Sequence, residues 1–254
     1  MIQISKHKLS GGEEIAYHKI KSKSGKQPGI IYLAGYGSDM RGEKPCAIEK
    51  FCVDHDYDYV RFEYLGIGDS SGNFEDFAIY DWLENSLDVL DHLTDGPQVL
   101  VGSSMGGWLM LQVALRRKDR IAGLVAIAPA PDFTENLMWS QFSDDHKEQL
   151  QNQGRINLKH LSGEDYFVTM KMIEDGRKLL VMNDVIDIKV PVSIIHGMKD
   201  MDVPYQLSMS LVDKLQSMDV DLHLIKGAMH RFSEPADLIF LIGVISAMMQ
   251  KIQN

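Results

Sequence analysis

The chain has 254 residues, of which 44% are hydrophobic and 24% charged, with a formal net charge of −10 at neutral pH. That length and balance suit a single α/β domain, residues 1–254, with a sizeable core. The negative charge argues against nucleic acid and an anionic membrane surface as partners, and leaves a small-molecule or acylated substrate open.

The opening "MIQISKHKLSGGEE" has neither an apolar stretch nor an Arg-rich amphipathic pattern, which predicts a cytoplasmic protein without a leader. Residues 13–20, "EEIAYHKI", alternate as an early antiparallel strand does. "GIIYLAG" (29–35) is a β-branched run stopped by glycine, the pattern of a buried parallel strand. A helix is predicted over 44–55. Its two cysteines, Cys46 and Cys52, are spaced C-x5-C, which matches no common zinc pattern and reads as two reduced thiols. "YDYVRFEY" (57–64) is strand-like, and 77–93 carries apolar residues three and four apart, as an amphipathic helix does.

A strand (98–102), a helix (107–118) and a strand (121–130) follow. Later come a strand at 190–197, a helix at 208–218, a strand at 221–227 and a C-terminal helix of about 19 residues. The longest apolar run, 238–249, is shorter than the ~20 residues a membrane span takes. This alternation predicts an α/β fold: a mostly parallel sheet with helices on both faces. Between 134 and 188 the rhythm breaks into apparent helices and loops without a sheet strand. Such an insertion belongs over the carboxyl ends of the strands, as a small helical cap.

Two serines sit in G-x-S-x-G strings, Ser70 in "GIGDSSG" and Ser104 in "VLVGSSMGGWLML". A nucleophile elbow needs a strand, a very tight turn and a helix, with small residues where strand and helix crowd. Ser104 meets each condition. Val99, Leu100 and Val101 end a strand, Gly102, Gly106 and Gly107 give room, and a helix begins at once. Ser70 follows its strand by several residues, and Gly72 and Asn73 stop a helix rather than start one.

Serine needs a base, usually a histidine held by a carboxylate. His146 and His160 lie among polar residues as solvated positions, and His223 lies within a strand as a core or packed polar group. His196 ends a strand just before the candidate acid and suits a supporting role. His230, on the loop of "KGAMHRF" before the last helix, is the candidate base. Asp200 in "IIHGMKDMDVP" is the candidate acid, while Asp202 suits the turn into the next helix. For an oxyanion, the backbone N–H of Met105 is one donor. Tyr36 in "AGYGSDM" is the second, with Gly37 as alternative.

Strand–elbow–helix, then acid, then histidine, in that order and spacing, resembles the α/β-hydrolase superfamily. The strings "AIEKFC" (47–52), "RFEYLGIGDSSGN" (61–73), "DGPQVLVGSSMGGWLML" (95–111), "HGMKDMDVP" (196–204) and "MHRFSEPADL" (229–238) resemble one α/β-hydrolase domain-containing branch. That branch includes an animal mitochondrial palmitoyl-protein thioesterase, also described as an acyl-glucuronide esterase. The resemblance places the triad on Ser104, Asp200 and His230. It implies hydrolysis of carboxylic esters or thioesters with no metal and no cofactor. It fades over 134–188, where Met138, Trp139, Phe142 and Tyr166 would either line an acyl pocket or simply hold the cap to the core. A peptidase or carbon–carbon bond hydrolase could use the same triad, and a hydrolase-fold binding protein is a third reading.

Overall fold

The computed structural model describes residues 3–25, 27–159 and 165–253. In chain order the elements begin with β1 (Ser5–Lys8), β2 (Glu14–Ile20), β3 (Gly29–Leu33), α1 (Glu43–His55) and β4 (Tyr59–Phe62). There follow α2 (Ile79–Leu93), β5 (Gln98–Ser103), α3 (Met105–Arg116) and β6 (Ile121–Ile127). An excursion carries α4 (Asp144–Gln153), β7 (Arg155–Lys159), β8 (Asp165–Thr169) and α5 (Met170–Arg177). The chain then returns to β9 (Val192–Gly197), α6 (Tyr205–Lys214), β10 (Val220–Ile225) and α7 (Pro235–Gln253).

The main sheet has eight strands in the order β1-β2-β4-β3-β5-β6-β9-β10. β2 pairs antiparallel with both its neighbours, and every pairing from β4 to β10 is parallel. β3 and β5 are buried at every position, which their unbroken apolar runs require of strands covered on both faces. α3 is buried from Met105 through Ala114 because it is apolar all round and packs between the sheet and its neighbours. Each such Leu or Trp side chain contributes roughly 1.5–3 kcal/mol on leaving water.

Register positions the site. Leu33 faces Gly102, Ser103 faces Ile127, Ile127 faces Ile195, and Gly197 faces Ile225. The carboxyl ends of β3, β5, β6, β9 and β10 therefore finish side by side. The loops leaving β3, β5, β9 and β10, which carry Tyr36, Ser104, Asp200 and His230, meet at one edge.

Three sequence expectations change. β1 is an additional edge strand; its four residues, "SKHK", are polar throughout and carry no hydrophobic alternation. The excursion is not helices and loops alone, since β7 and β8 form a separate antiparallel hairpin with Ile156 opposite Val168, both buried. Each strand has only five residues, too short a run to stand out among charged neighbours. The apolar C-terminal run is part of a 19-residue helix long and apolar enough to cross a membrane by length and composition. Its Leu241, Val244, Ile245, Met248 and Met249 are buried in the fold, where α7 packs on α1, β6 and β9.

The excursion is tied at its root by Asp132, a buried residue at φ +57. Its carboxylate accepts from the backbone N–H groups of Val181, at 2.9 and 3.1 Å, and Met182, at 2.9 Å, so the outgoing and returning chains are joined. Burial raises the Asp132 pKa, and these two amides oppose the rise. Asp132→Ala leaves two half-buried donors without their acceptor and should cost about 1–3 kcal/mol. At this size that lowers Tm by about 2–12 °C, measured by thermal unfolding. Asp132→Asn, which keeps an acceptor and tolerates positive φ, should lose much less.

Candidate active site

Ser104 stands between the last residue of β5 and the first of α3, at φ 53° and ψ −117°. A non-glycine residue in such a conformation stores about 1–3 kcal/mol of strain and persists only where its surroundings fix it. Here they do. Ser104 N–H donates to the Ile127 carbonyl at 2.9 Å, and its carbonyl accepts from Gly107 N at 2.9 Å and Ala130 N at 3.1 Å. The flanking glycines are dictated by space. A Cβ on Gly102 would lie 2.4 Å from the Gly106 carbonyl oxygen, and one on Gly106 would lie 2.1 Å from the Leu33 oxygen.

The His230 imidazole lies 3.1 Å (Nε2) from Ser104 Oγ and 2.7 Å (Nδ1) from Asp200 Oδ2. With Nδ1–H donating to the carboxylate, Nε2 turns a lone pair toward the serine hydroxyl. Asp200 is fully enclosed, whereas His230 remains 20% exposed. Burial pushes the Asp200 pKa up, but hydrogen bonds from His196 and His230, the His230 charge and the Val203 amide outweigh it. The carboxyl is held well below the usual carboxylate range. Its Oδ1 accepts from the N–H groups of Asp202 at 2.9 Å and Val203 at 2.8 Å.

The Gly35–Gly37 turn lies beside the serine; a Cβ on Gly35 would stand 3.5 Å from Ser104 Cβ, and Gly37 has φ +65. Met105 opens α3, so its N–H belongs to the first turn, whose amides have no intrahelical acceptor. The Tyr36 ring packs edge-on against Phe74, Trp82 and Phe133, and its hydroxyl donates to the Phe167 carbonyl on β8 at 3.0 Å. One residue thus links the turn beside Ser104 to the hairpin above it. Tyr36→Phe should lower Tm by about 2–4 °C, since one neutral hydrogen bond is worth about 1 kcal/mol. It should also speed hydrogen exchange along Asp165–Thr169.

Ser70 is far from this chemistry. Its Oγ donates to the Glu63 carbonyl at 2.6 Å and accepts from Ala16 N at 2.8 Å, pinning its loop to β2. Asp202 sits in the turn toward α6 and is felt by Tyr166 of β8. His223 lies on β10 against Phe240, and His146 is half-buried against Phe142 rather than fully solvated. His160 lies outside the described residues. Met138, Trp139, Phe142 and Tyr166 are all partly buried against the core. Trp139 is covered by Arg177 and Lys147, which suits holding the excursion together. Cys46 and Cys52 are both free thiols.

Two groups among the described residues bring three potential metal ligands together: Asp200, Asp202 and His230, and, at the β1–α2 contact, His7, Asp88 and His92. In the first, the Asp200 oxygens are already committed to four N–H donors. In the second, Asp88 Oδ1 bridges the two rings, 2.5 Å from His7 Nε2 and 3.3 Å from His92 Nδ1.

Two supports escape sequence reasoning. Ser208 of α6 lies 2.7 Å (Oγ) from His196 Nδ1. Lys44 of α1 donates to the Arg231 carbonyl, next to His230, and burial pulls its ammonium pKa down to about 8. Both depend on contacts distant in sequence.

A parallel sheet that presents a strained serine between strand and helix, with acid and histidine on later loops, defines an α/β hydrolase. A sequence profile of the alpha/beta hydrolase fold matches residues 30–155. The human mitochondrial palmitoyl-protein thioesterase ABHD10 is 37% identical over 94% of this chain and 78% of its own. The structure of mouse alpha/beta hydrolase domain-containing protein 10 has a TM-score of 0.91 at 34% identity, covering 98% of this chain and 99% of that one. A putative hydrolase from Agrobacterium vitis S4 has a TM-score of 0.92 at 37% identity, covering 97% and 99%. The chain belongs to the α/β-hydrolase family, in the branch of these domain-containing proteins. The cytoplasmic assignment is withdrawn, because the animal relatives are named as mitochondrial. A polar opening segment is no measure of compartment when the same fold and site serve elsewhere.

Proposed function

We propose that this hydrolase cleaves carboxylic thioesters and esters through an acyl-enzyme on Ser104. One observation carries the reading: Ser104 Oγ lies 3.1 Å from a His230 nitrogen whose ring partner is 2.7 Å from a buried, ionised Asp200. His230 takes the serine proton as Oγ attacks the carbonyl carbon, then returns it to the departing thiol or alcohol. Water, activated by the same imidazole, releases the acid. Asp200 keeps the imidazole in the Nδ1–H form and stabilises its cation.

The Met105 and Tyr36 amides receive the oxyanion; losing one such donor costs about 3 kcal/mol. The segment over the strand ends acts as a cap. The rings of Tyr36, Phe74, Phe133 and Phe167 pack on one another beside the turn that carries the Tyr36 amide, an apolar surround that suits a hydrocarbon acyl chain. The relatives' name, palmitoyl-protein thioesterase, supports a fatty acyl thioester as substrate. The test is a panel of acyl-CoA thioesters and p-nitrophenyl esters from short to long chains, with aminoacyl amides alongside. Turnover of thioesters and esters is expected. Cleavage of the amides alone, or of nothing, rejects the reading.

A further inference from the structure

Asp200 does not act on His230 unaided. We propose that His196 and Ser208 form a buried positioning pair that sets the basicity of His230 through Asp200. The inference rests on the acyl-enzyme reading of Ser104 and concerns residues beyond its triad.

The geometry starts with His196 at the end of β9, fully enclosed along with Asp200. Its Nε2 faces two acceptors, Asp200 Oδ2 at 3.1 Å and the Val203 carbonyl at 2.9 Å. An atom facing two acceptors must carry the hydrogen, so the neutral ring is the Nε2–H tautomer. Nδ1 is then an acceptor, and it lies 2.7 Å from the hydroxyl of the fully buried Ser208. The Ser208 proton therefore points at Nδ1 and holds the ring to that tautomer. Every polar atom of the imidazole is satisfied away from water, as burial demands.

The consequence falls on Asp200. A carboxylate has about four lone-pair sites. All four are used: Asp202 N and Val203 N on Oδ1, His230 Nδ1 and His196 Nε2 on Oδ2. The donor from His196 shares the oxygen that holds His230. It keeps Asp200 ionised and limits how strongly that oxygen pulls on the His230 proton. The other titratable and charged groups around this core are Asp202 on the same turn, Tyr166 on β8, and Arg231 and Lys44 behind the His230 loop. Asp200 Oδ2 itself meets the two imidazoles, of His196 and His230.

Removing His196 should act in two ways. Asp200 loses its brace, so kcat falls about 10- to 100-fold, the scale of one hydrogen bond to a charged group, with little change in KM. Asp200 Oδ2 also turns its full charge on His230, which stabilises the imidazolium. The acid limb of the kcat/KM profile then moves to higher pH.

The experiment compares pH–rate profiles of the wild type, His196→Ala, His196→Gln and Ser208→Ala on one activated ester, with Ser104→Ala as reference. The expected result is an upward-shifted acid limb and lowered kcat in His196→Ala. Recovery of both is expected in His196→Gln, whose side-chain amide can donate in place of Nε2. Ser208→Ala should fall between. Where His196→Ala does not fold, the Gln and Ser208 variants carry the comparison, with an acid limb shifted in Ser208→Ala and restored in His196→Gln expected. A wild-type limb in both His196→Ala and Ser208→Ala, or losses with no pH shift and no rescue by Gln, overturns the proposal and leaves a packing role. Turnover by Ser104→Ala at the wild-type rate would instead reject the acyl-enzyme reading on which it rests.

Discussion

Ser104→Ala should fold normally and lose nearly all turnover. In the proposed mechanism, removing Oγ leaves only what substrate binding and oxyanion stabilisation provide. In serine hydrolases that residue of activity lies on the order of 10⁴- to 10⁶-fold below the intact enzyme. Stability should barely move. Alanine meets the same strain at φ 53° as serine, and the backbone bonds that fix the turn, to Ile127, Gly107 and Ala130, remain. Ser104 is partly exposed, and its Oγ is bonded to a half-open histidine rather than to the core. Steady-state kinetics on an activated ester, paired with thermal unfolding, checks both halves. A variant with a tenth of wild-type kcat would exclude Ser104 as nucleophile.

Gly106→Ala should produce the second large effect, on stability and activity together. The added methyl would stand 2.1 Å from the Leu33 oxygen and 2.6 Å from the Ala34 oxygen. Both are backbone atoms at the end of β3, so no rotamer change relieves the contact. Overpacking of this kind costs about 1–3 kcal/mol or more, which lowers Tm by roughly 2–12 °C at this size. The strand end that must yield leads directly into Gly35 and Tyr36, beside Ser104. Residual folded protein should therefore also lose kcat. Gly243→Ala is the contrasting case: Gly243 lies in α7 with open space where Cβ would be. There the exchange should stabilise by about 0.5–1 kcal/mol through helix propensity alone.

The site is legible wherever chemistry is written in local spacing. Ser104 separates from Ser70 because an elbow needs glycine at fixed offsets and a helix at once. The structure gives the reason in the contacts Gly102 and Gly106 would otherwise make. Asp200 and His230 follow from their places after β9 and β10, and the parallel register brings both ends to Ser104. Elements that depend on distant partners leave little trace. β1 is held by backbone pairing to β2 and has no apolar face to announce it. The β7–β8 hairpin is stabilised by its packing, with Ile156 and Val168 buried. Ser208 looks like any helical serine until α6 is laid against β9, and Lys44 like any surface lysine until α1 meets the His230 loop.

The most direct measurement is to trap the covalent intermediate. A short-chain thioester mixed with the protein, quenched in acid within the first turnovers and digested, should yield one acylated peptide. The expected acyl mass lies on the peptide containing Ser104 and is absent from His230→Ala quenched at the same time. Acyl mass on any other residue, or turnover that proceeds with no acylated peptide under conditions where deacylation is slow, would contradict a nucleophilic Ser104.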